Sequence, residues 1–461
     1  MFEFSRELKR LFSADAPPRD GLTGGDASLL ELLDLGLLRS EARAADVAAG
    51  RVSAKDPALR RLEAARVWRE VARRTGDPVA LRNAALGAER AVQAFKAASR
   101  AKAWAAARCE QALSAILGAE LYGDDGLNAA AGIALHDVLA AAPSSACAAM
   151  AAGQLARLAS HTVLVQGDHD AALAAAADFD AAITGLAAHL RSKAVTKGML
   201  ADLRCDRAEL LMGCGARLQD ARLYELAMAD LDKLAQRLDP AYEPLVLSRV
   251  QTLRAGARVG RGETLGRIED VAAGVEILAA ALDQVSPDHS PLDWARMQQA
   301  LAAGLQSLGE GSDSDRAFEH ALTCYERALW ATRNQPALAL RTALSRNRAA
   351  CLARRAELTG DPGLLDAAVE LLRRELRGMT PGRDPVAWAI AQVNLAHLYI
   401  ARLDFGAGED DRAAAALALD SALEVFAEQG LRTLMDQASR ALDGLATRRA
   451  HVQGGKEAGF Q

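Results

Sequence analysis

Residues that suit a pleated sheet are scarce in this chain: isoleucine occurs seven times in 461 positions and aromatic side chains make up 4%. A large sheet is thereby excluded. No charge of one sign dominates either. Fifty-five Lys and Arg against sixty Asp and Glu give a net charge of -5, spread without a basic stripe, which argues against nucleic acid as a partner. No uninterrupted apolar run of about twenty residues is present, because acids interrupt the most apolar windows, as Asp178 and Asp180 do between Ala171 and Leu190. The start, Met-Phe-Glu-Phe-Ser-Arg-Glu, lacks the basic and apolar regions of a signal peptide, so a cytoplasmic protein is expected. The six cysteines are scattered without a Cys-x-x-Cys, which favours reduced core residues over disulfides or zinc. What the chain does have is about a hundred alanines, the best helix former.

Proline and glycine divide the chain. Pro57, Pro78, Pro143, Pro240, Pro244, Pro287, Pro291, Pro336, Pro362, Pro381 and Pro385 fall where apolar periodic segments begin, and none lies between Val79 and Ala142 or between Ser144 and Asp239. Gly and Asp marks recur at Gly76-Asp77, Gly123-Asp124, Gly167-Asp168, Gln219-Asp220, Gly260 to Gly262, Gly309 to Asp313, Gly360-Asp361 and Gly406 to Asp410. Each reads as a helix C-terminus followed by the N-cap of the next helix. Each period holds two segments of helical periodicity, so the unit is an antiparallel helical hairpin and the chain a solenoid. Trp294 and Trp388 begin similar segments 94 positions apart, twice 47, and Asn347 lies 47 before Asn394. Small-large-small stripes recur in second helices at Ala321-Tyr325-Ala328, Ala273-Ile277-Ala280, Ala175-Phe179-Ala182 and Ala415-Leu419-Ala422.

These stripes, with Leu301-Ala302 and Leu305 or Leu395-Ala396 and Tyr399 in first helices, resemble the tetratricopeptide repeat in its long-period bacterial form, most clearly from Pro240 to Gly430. The period exceeds the family's usual length of about 34 residues. The resemblance implies an all-α, right-handed α-solenoid of about eight hairpins with terminal capping helices. It also implies that a protein or peptide partner binds in the concave groove lined by first helices. On that register the groove candidates are Arg296, Gln299 and Gln306, then Arg346, Asn347 and Arg354, then Gln392, Asn394 and His397.

The expected divisions are an amphipathic leader and linker over 1–27, N-terminal capping helices over 28–56, the repeats over 57–430, a closing helix over 431–450 and a disordered tail over 451–461. Phe4, Leu8, Leu11 and Phe12 share one face of the leader, an anchor for a partner or the one route to a membrane surface, unless it docks on its own domain. Ser28 and Glu31 have capping-box spacing ahead of a helix from Leu29 to Leu38.

Catalytic signatures are missing. There is no phosphate-binding Gly-x-x-x-x-Gly-Lys loop, no His-Glu-x-x-His and no Gly-x-Ser-x-Gly elbow. The glycines from Gly260 to Gly266 read as a helix-to-helix turn, and the Asp-rich turns at 167–170 and 312–315 as N-caps. The eight histidines include no i, i+4 pair, so no metal and no cofactor is expected. The expectation is a non-enzymatic interaction scaffold or adaptor. The alternative is a regulatory sensor whose groove binds a small ligand or peptide signal, and homo-oligomerisation is open.

Overall fold

The computed structural model describes residues 27–445, apart from 52–53, 143–144, 191–194, 335–337, 380–381, 383–384, 407 and 432–433. The leader, with Phe4, Leu8, Leu11 and Phe12, and the tail lie outside the described residues. Every regular element among the described residues is helical. A 3-10 helix, Ala27–Leu32, leads into α1 (Leu35–Gly50). Eight helix pairs follow. They are α2 (Pro57–Thr75) with α3 (Pro78–Ala97), α4 (Ala101–Tyr122) with α5 (Asp125–Ala141), α6 (Ala146–Gln166) with α7 (His169–Ala187), and α8 (Lys197–Leu218) with α9 (Ala221–Ala235). The remaining pairs are α10 (Pro244–Leu265) with α11 (Ile268–Leu282), α12 (Pro291–Ser312) with α13 (Asp315–Ala331), α14 (Leu338–Thr359) with α15 (Gly363–Gly378), and α16 (Pro385–Asp404) with α17 (Glu409–Glu428). A last helix, α18, covers 434–445.

The punctuation acts as its chemistry requires. Pro57, Pro78, Pro244, Pro291 and Pro385 each open a helix, where a missing N–H leaves no bond unmade. Gly76, Gly123 and Gly266 close helices in the left-handed conformation, at φ 68, 75 and 66°, and Gln219 takes that place at φ 55°. Asp77, Asp124, Asp168 and Asp220 then accept backbone N–H bonds as N-caps, each worth about 1 kcal/mol. Trp294 and Trp388 both fall three residues after the opening proline of their helices, which confirms the 47-residue register.

Three of the four stripes form core: Phe179, Tyr325 and Leu419 are buried with alanines beside them. The fourth is displaced by one position. In α11 the buried residues are Val271, Gly274, Leu278 and Ala281, while Ile277 is half-buried and Ala280 exposed. Gly274 lets α11 approach Val259 and the Ala255 carbonyl of α10 more closely than an alanine would. The glycines at 260 and 262 are also not a turn. Both lie inside α10, whose C-cap is Gly266, and a side chain at Gly260 would overlap the buried Tyr224 ring of α9. Gly260→Ala is therefore expected to lower stability by about 1–2 kcal/mol in urea denaturation, overpacking outweighing the gain in helix propensity. Gly132→Ala, where the nearest side chain stands 4.0 Å away, is expected to stabilise by up to about 1 kcal/mol.

The chain forms two compact units. The first runs to Gly304 and includes Ala331–Ala337; the second comprises Leu305–Trp330 and the residues from Leu338 onward. The core of the first extends continuously from Ala105 in α4 to Ala257 in α10, and that of the second from Ala349 in α14 to Leu445 in α18.

Candidate functional site

In the first unit, first helices touch first helices: α2 meets α4, α4 meets α6, α6 meets α8, and α8 meets α10. Second helices pack chiefly on the first helices beside them. The closer layer lies on the inside of a curved stack, so the first helices form the inner face. Arg–carboxylate contacts cross this layer from helix to helix. Arg69 of α2 binds Glu110 of α4 at 2.5 Å, and Arg157 of α6 binds Glu120 of α4 and approaches Asp206 of α8 at 3.9 Å. Arg249 of α10 reaches Asp202, Asp206 and Glu209 of α8 at 3.0, 2.7 and 3.0 Å. Asp206 and Glu110 are buried, whereas Asp202 and Glu209 keep about half of their side-chain surface in solvent. Enclosure and the neighbouring Asp206 push the Asp202 carboxyl above its usual range against the pull of Arg249. Exposed pairs of this kind add little stability. They give the inner face alternating charge that solvent reaches.

Residues 30–33 are seated by a set of polar contacts that reach both α2 and α10. Arg74 is fully buried on α2, and its guanidinium donates Nη2 to the Leu30 carbonyl at 2.6 Å, Nη1 to the Leu33 carbonyl at 2.7 Å and Nε to Glu70 at 2.7 Å. Leu30 and Leu33 are themselves buried. The Glu31 carboxylate accepts the Leu245 and Val246 N–H groups at 3.0 and 3.1 Å. These belong to the first turn of α10, whose own N-cap residue Glu243 makes no side-chain capping bond. His289 Nε2 lies 2.8 Å from the Glu31 carbonyl and so carries the proton that it donates. Arg73 completes the set, gripping Glu70 with two nitrogens and Asp293 of α12 at 2.8 Å, while the Ser290 hydroxyl donates to Asp293 at 2.7 Å. Hairpins more than 200 residues apart are thus joined within one unit.

Glu31 is consequently not a capping-box residue. Residues Ala27–Leu32 form a 3-10 turn, α1 starts only at Leu35 with Asp34 as its N-cap, and Glu31 caps α10 across space instead. Burial, with Glu70 and Asp202 nearby, raises its pKa to about 7. Glu70 is held far below the usual carboxylate range: burial opposes its charge, but Arg73 and Arg74 outweigh it. Burial and the Arg74 charge lower His289, keeping its imidazole neutral.

The sequence-derived groove candidates divide. In the first unit Arg296 lies 3.3 Å from Asp293 and Gln299 is half-buried. In the second, Gln306 donates to Glu310, and exposed Arg354 pairs with Glu357 at 2.7 Å and Glu310 at 3.5 Å. Asn347 and Gln392 are half-buried. Asn394 is buried and donates to the Ser345 hydroxyl at 3.1 Å, joining α16 to α14, whereas Asn347 is in a wetter setting. Arg346 and His397 remain exposed and are brought together, since crowding and then the Arg346 charge lower the His397 pKa. The Arg74, Glu70 and Glu31 set was invisible to the repeat register. The one local signal was the dense run Arg69-Glu70-x-x-Arg73-Arg74.

Other chemistry is structural. Five of the six free cysteines are buried, and burial pushes Cys109 and Cys351 up to about 12, far from a reactive thiolate. His169 Nδ1 lies 2.6 Å from Asp220, and His161 is exposed. Among the described residues, no helix is long and apolar enough to cross a membrane.

No protein-family model matches the chain, and no curated protein matches it. Solved structures do. A Rap protein complexed with competence and sporulation factor is 12% identical over 86% of this chain and 99% of its own, with a TM-score of 0.42. A human IFIT1 dimer with PPP-AAAA is 13% identical over 91% and 94%, also at 0.42. A circular tandem repeat protein is 15% identical over 94% and 99%, at 0.24. From its own helix pairing, nested first helices and buried small-large-small stripes, the chain is an all-α helical-repeat protein of the tetratricopeptide-like kind.

Proposed function

We propose that the chain is a non-enzymatic interaction scaffold or adaptor whose inner helical layer holds a protein or peptide partner. The observation that carries this reading is the seating of residues 30–33. Two main-chain carbonyls lie on Arg74, a third lies on His289, and an acidic side chain is held by the α10 N–H groups. Recognition through main-chain groups and one carboxylate tolerates most other side chains, which suits peptide binding. The half-exposed Asp202, Glu209 and Arg249 continue the same kind of polar surface along the first helices. In the second unit the exposed Arg346 offers a cation, with the imidazole of exposed His397 near it as a neutral hydrogen-bonding group. Raised thiol pKa values, and the commitment of Glu31 to capping, support a binding role over a catalytic one.

The test is partner recovery on the intact chain, read by quantitative mass spectrometry for wild type, Arg346→Glu and His397→Glu. Both variants are expected to lose at least tenfold of one shared set of proteins, because Arg346→Glu reverses the attracting charge and His397→Glu places a repelling carboxylate beside it. Recovery of the same set at the same level by both variants overturns the assignment of that face.

A further inference from the structure

A cavity of about 550 Å³ lies between α3, α4 and α5, within the size range of small-molecule sites. Alanine creates it. Ala85 of α3, Ala112 and Ala115 of α4, and Ala130 and Ala134 of α5 line it with single methyl groups where larger side chains would have closed the space. Its remaining walls are largely apolar, and Ile133 on α5 leaves 64% of its surface to solvent beside it. It lies on a face of α4 different from the one that carries Glu110 and Glu120 to the inner layer, as the helical spacing of Arg108, Gln111 and Ala115 requires.

Four polar residues in this wall, Arg82, Arg108, Gln111 and Ser114, differ in what they have left to bind. The Arg108 guanidinium is already engaged, with Asp137 at 2.7 Å and Gln111 at 2.8 Å. Arg82 of α3 is exposed and has no hydrogen bond or ion pair among the described residues. Ser114 is only 2% exposed, and its hydroxyl has no partner, a costly state for a buried donor and acceptor. Apolar walls, one uncompensated cation and one unpartnered hydroxyl form a complementary set for a single kind of molecule.

We propose that this cavity binds a small amphiphilic carboxylic acid, its hydrocarbon part against the alanines and Ile133 and its carboxylate on Arg82. The site is separate from the peptide-binding inner layer and stands whether or not that reading holds. Binding covers Ile133 and gives Arg82 a charge-assisted partner.

The test is calorimetric titration of the full chain with sodium decanoate and with decanol, below the concentration at which either aggregates. Saturable binding is expected, at least tenfold tighter for decanoate than for decanol. Arg82→Ala should remove that preference. Ala130→Trp, at an exposed position, should fill the space and abolish binding of both probes with an unchanged circular dichroism spectrum. No saturable binding, equal affinity for the two probes, or undiminished binding by folded Ala130→Trp overturns the proposal. Because Arg82 is also exposed, its exchange reads the charge preference independently of the filling variant.

Discussion

Arg74→Ala is expected to lower the unfolding free energy by about 3–5 kcal/mol, the range for removing one partner of a buried ionic set. The side chain is fully buried, and its three bonds go to the Leu30 and Leu33 carbonyls and to Glu70. Truncation leaves both carbonyls without that donor and leaves Glu70 to Arg73 alone. It also opens a void among packed side chains. Arg74→Lys should recover little, because a single ammonium lacks the planar fork that spans two carbonyls and a carboxylate. Urea denaturation gives the magnitude, and limited proteolysis gives the location. Cleavage should appear first around residues 27–34, because the seat of that segment is what the substitution removes. A loss below about 1 kcal/mol with an unchanged cleavage pattern would show that Arg74 does not hold the segment.

The second large effect is on pH dependence. Glu31 titrates near 7 in the fold against an ordinary value of 4.5, so the folded chain holds that proton more tightly than the unfolded one. Its contribution is therefore fully present below pH 4.5 and is lost as pH rises through 7. The shift corresponds to an upper bound of about 3 kcal/mol, and partial solvent contact reduces the working figure to about 2 kcal/mol. Glu70 and Asp293 act in the opposite sense. Their depressed values give stability above their ordinary carboxylate range that disappears in acid. Between pH 5 and 8 Glu31 makes stability fall as pH rises while the lowered His289 and His397 oppose it, so its share is read as the difference between parent and Glu31→Gln. Glu31→Gln keeps an oxygen for the Leu245 and Val246 N–H groups and cannot ionise. At pH 8 it should exceed the parent by about 2 kcal/mol, with the two curves converging near pH 4.5. Parallel curves over that range would remove Glu31 from the account.

Much of the local structure was legible in the residues. Asp after Gly or Gln at 76–77, 123–124 and 219–220 marks helix boundaries because capping is a local reaction between a side chain and the next N–H groups. The spacing of Trp294 and Trp388 carried the repeat period because equivalent helices pack equivalently. Where two helices meet without room for a methyl group, periodicity misled. It placed the α11 stripe one residue away, and it read Gly260 and Gly262 as a turn, because a glycine chosen for close packing looks like one chosen for a bend. Equal register did not give Asn347 and Asn394 equal roles either, since only Asn394 has Ser345 opposite it.

Composition, capping and period thus determined by themselves an all-helical chain of about eight hairpins, because each of those signals acts within one or two turns of helix. The tertiary structure alone decided which charges matter. Glu31 meets Leu245, and Arg73 meets Asp293, across more than 200 residues, because the accumulated curvature of successive helix pairs brings those hairpins together. No pattern at the spacing of one repeat encodes that meeting. The alanines carry both kinds of information: their number announced helices, and only the packing of α3, α4 and α5 showed where they leave a cavity.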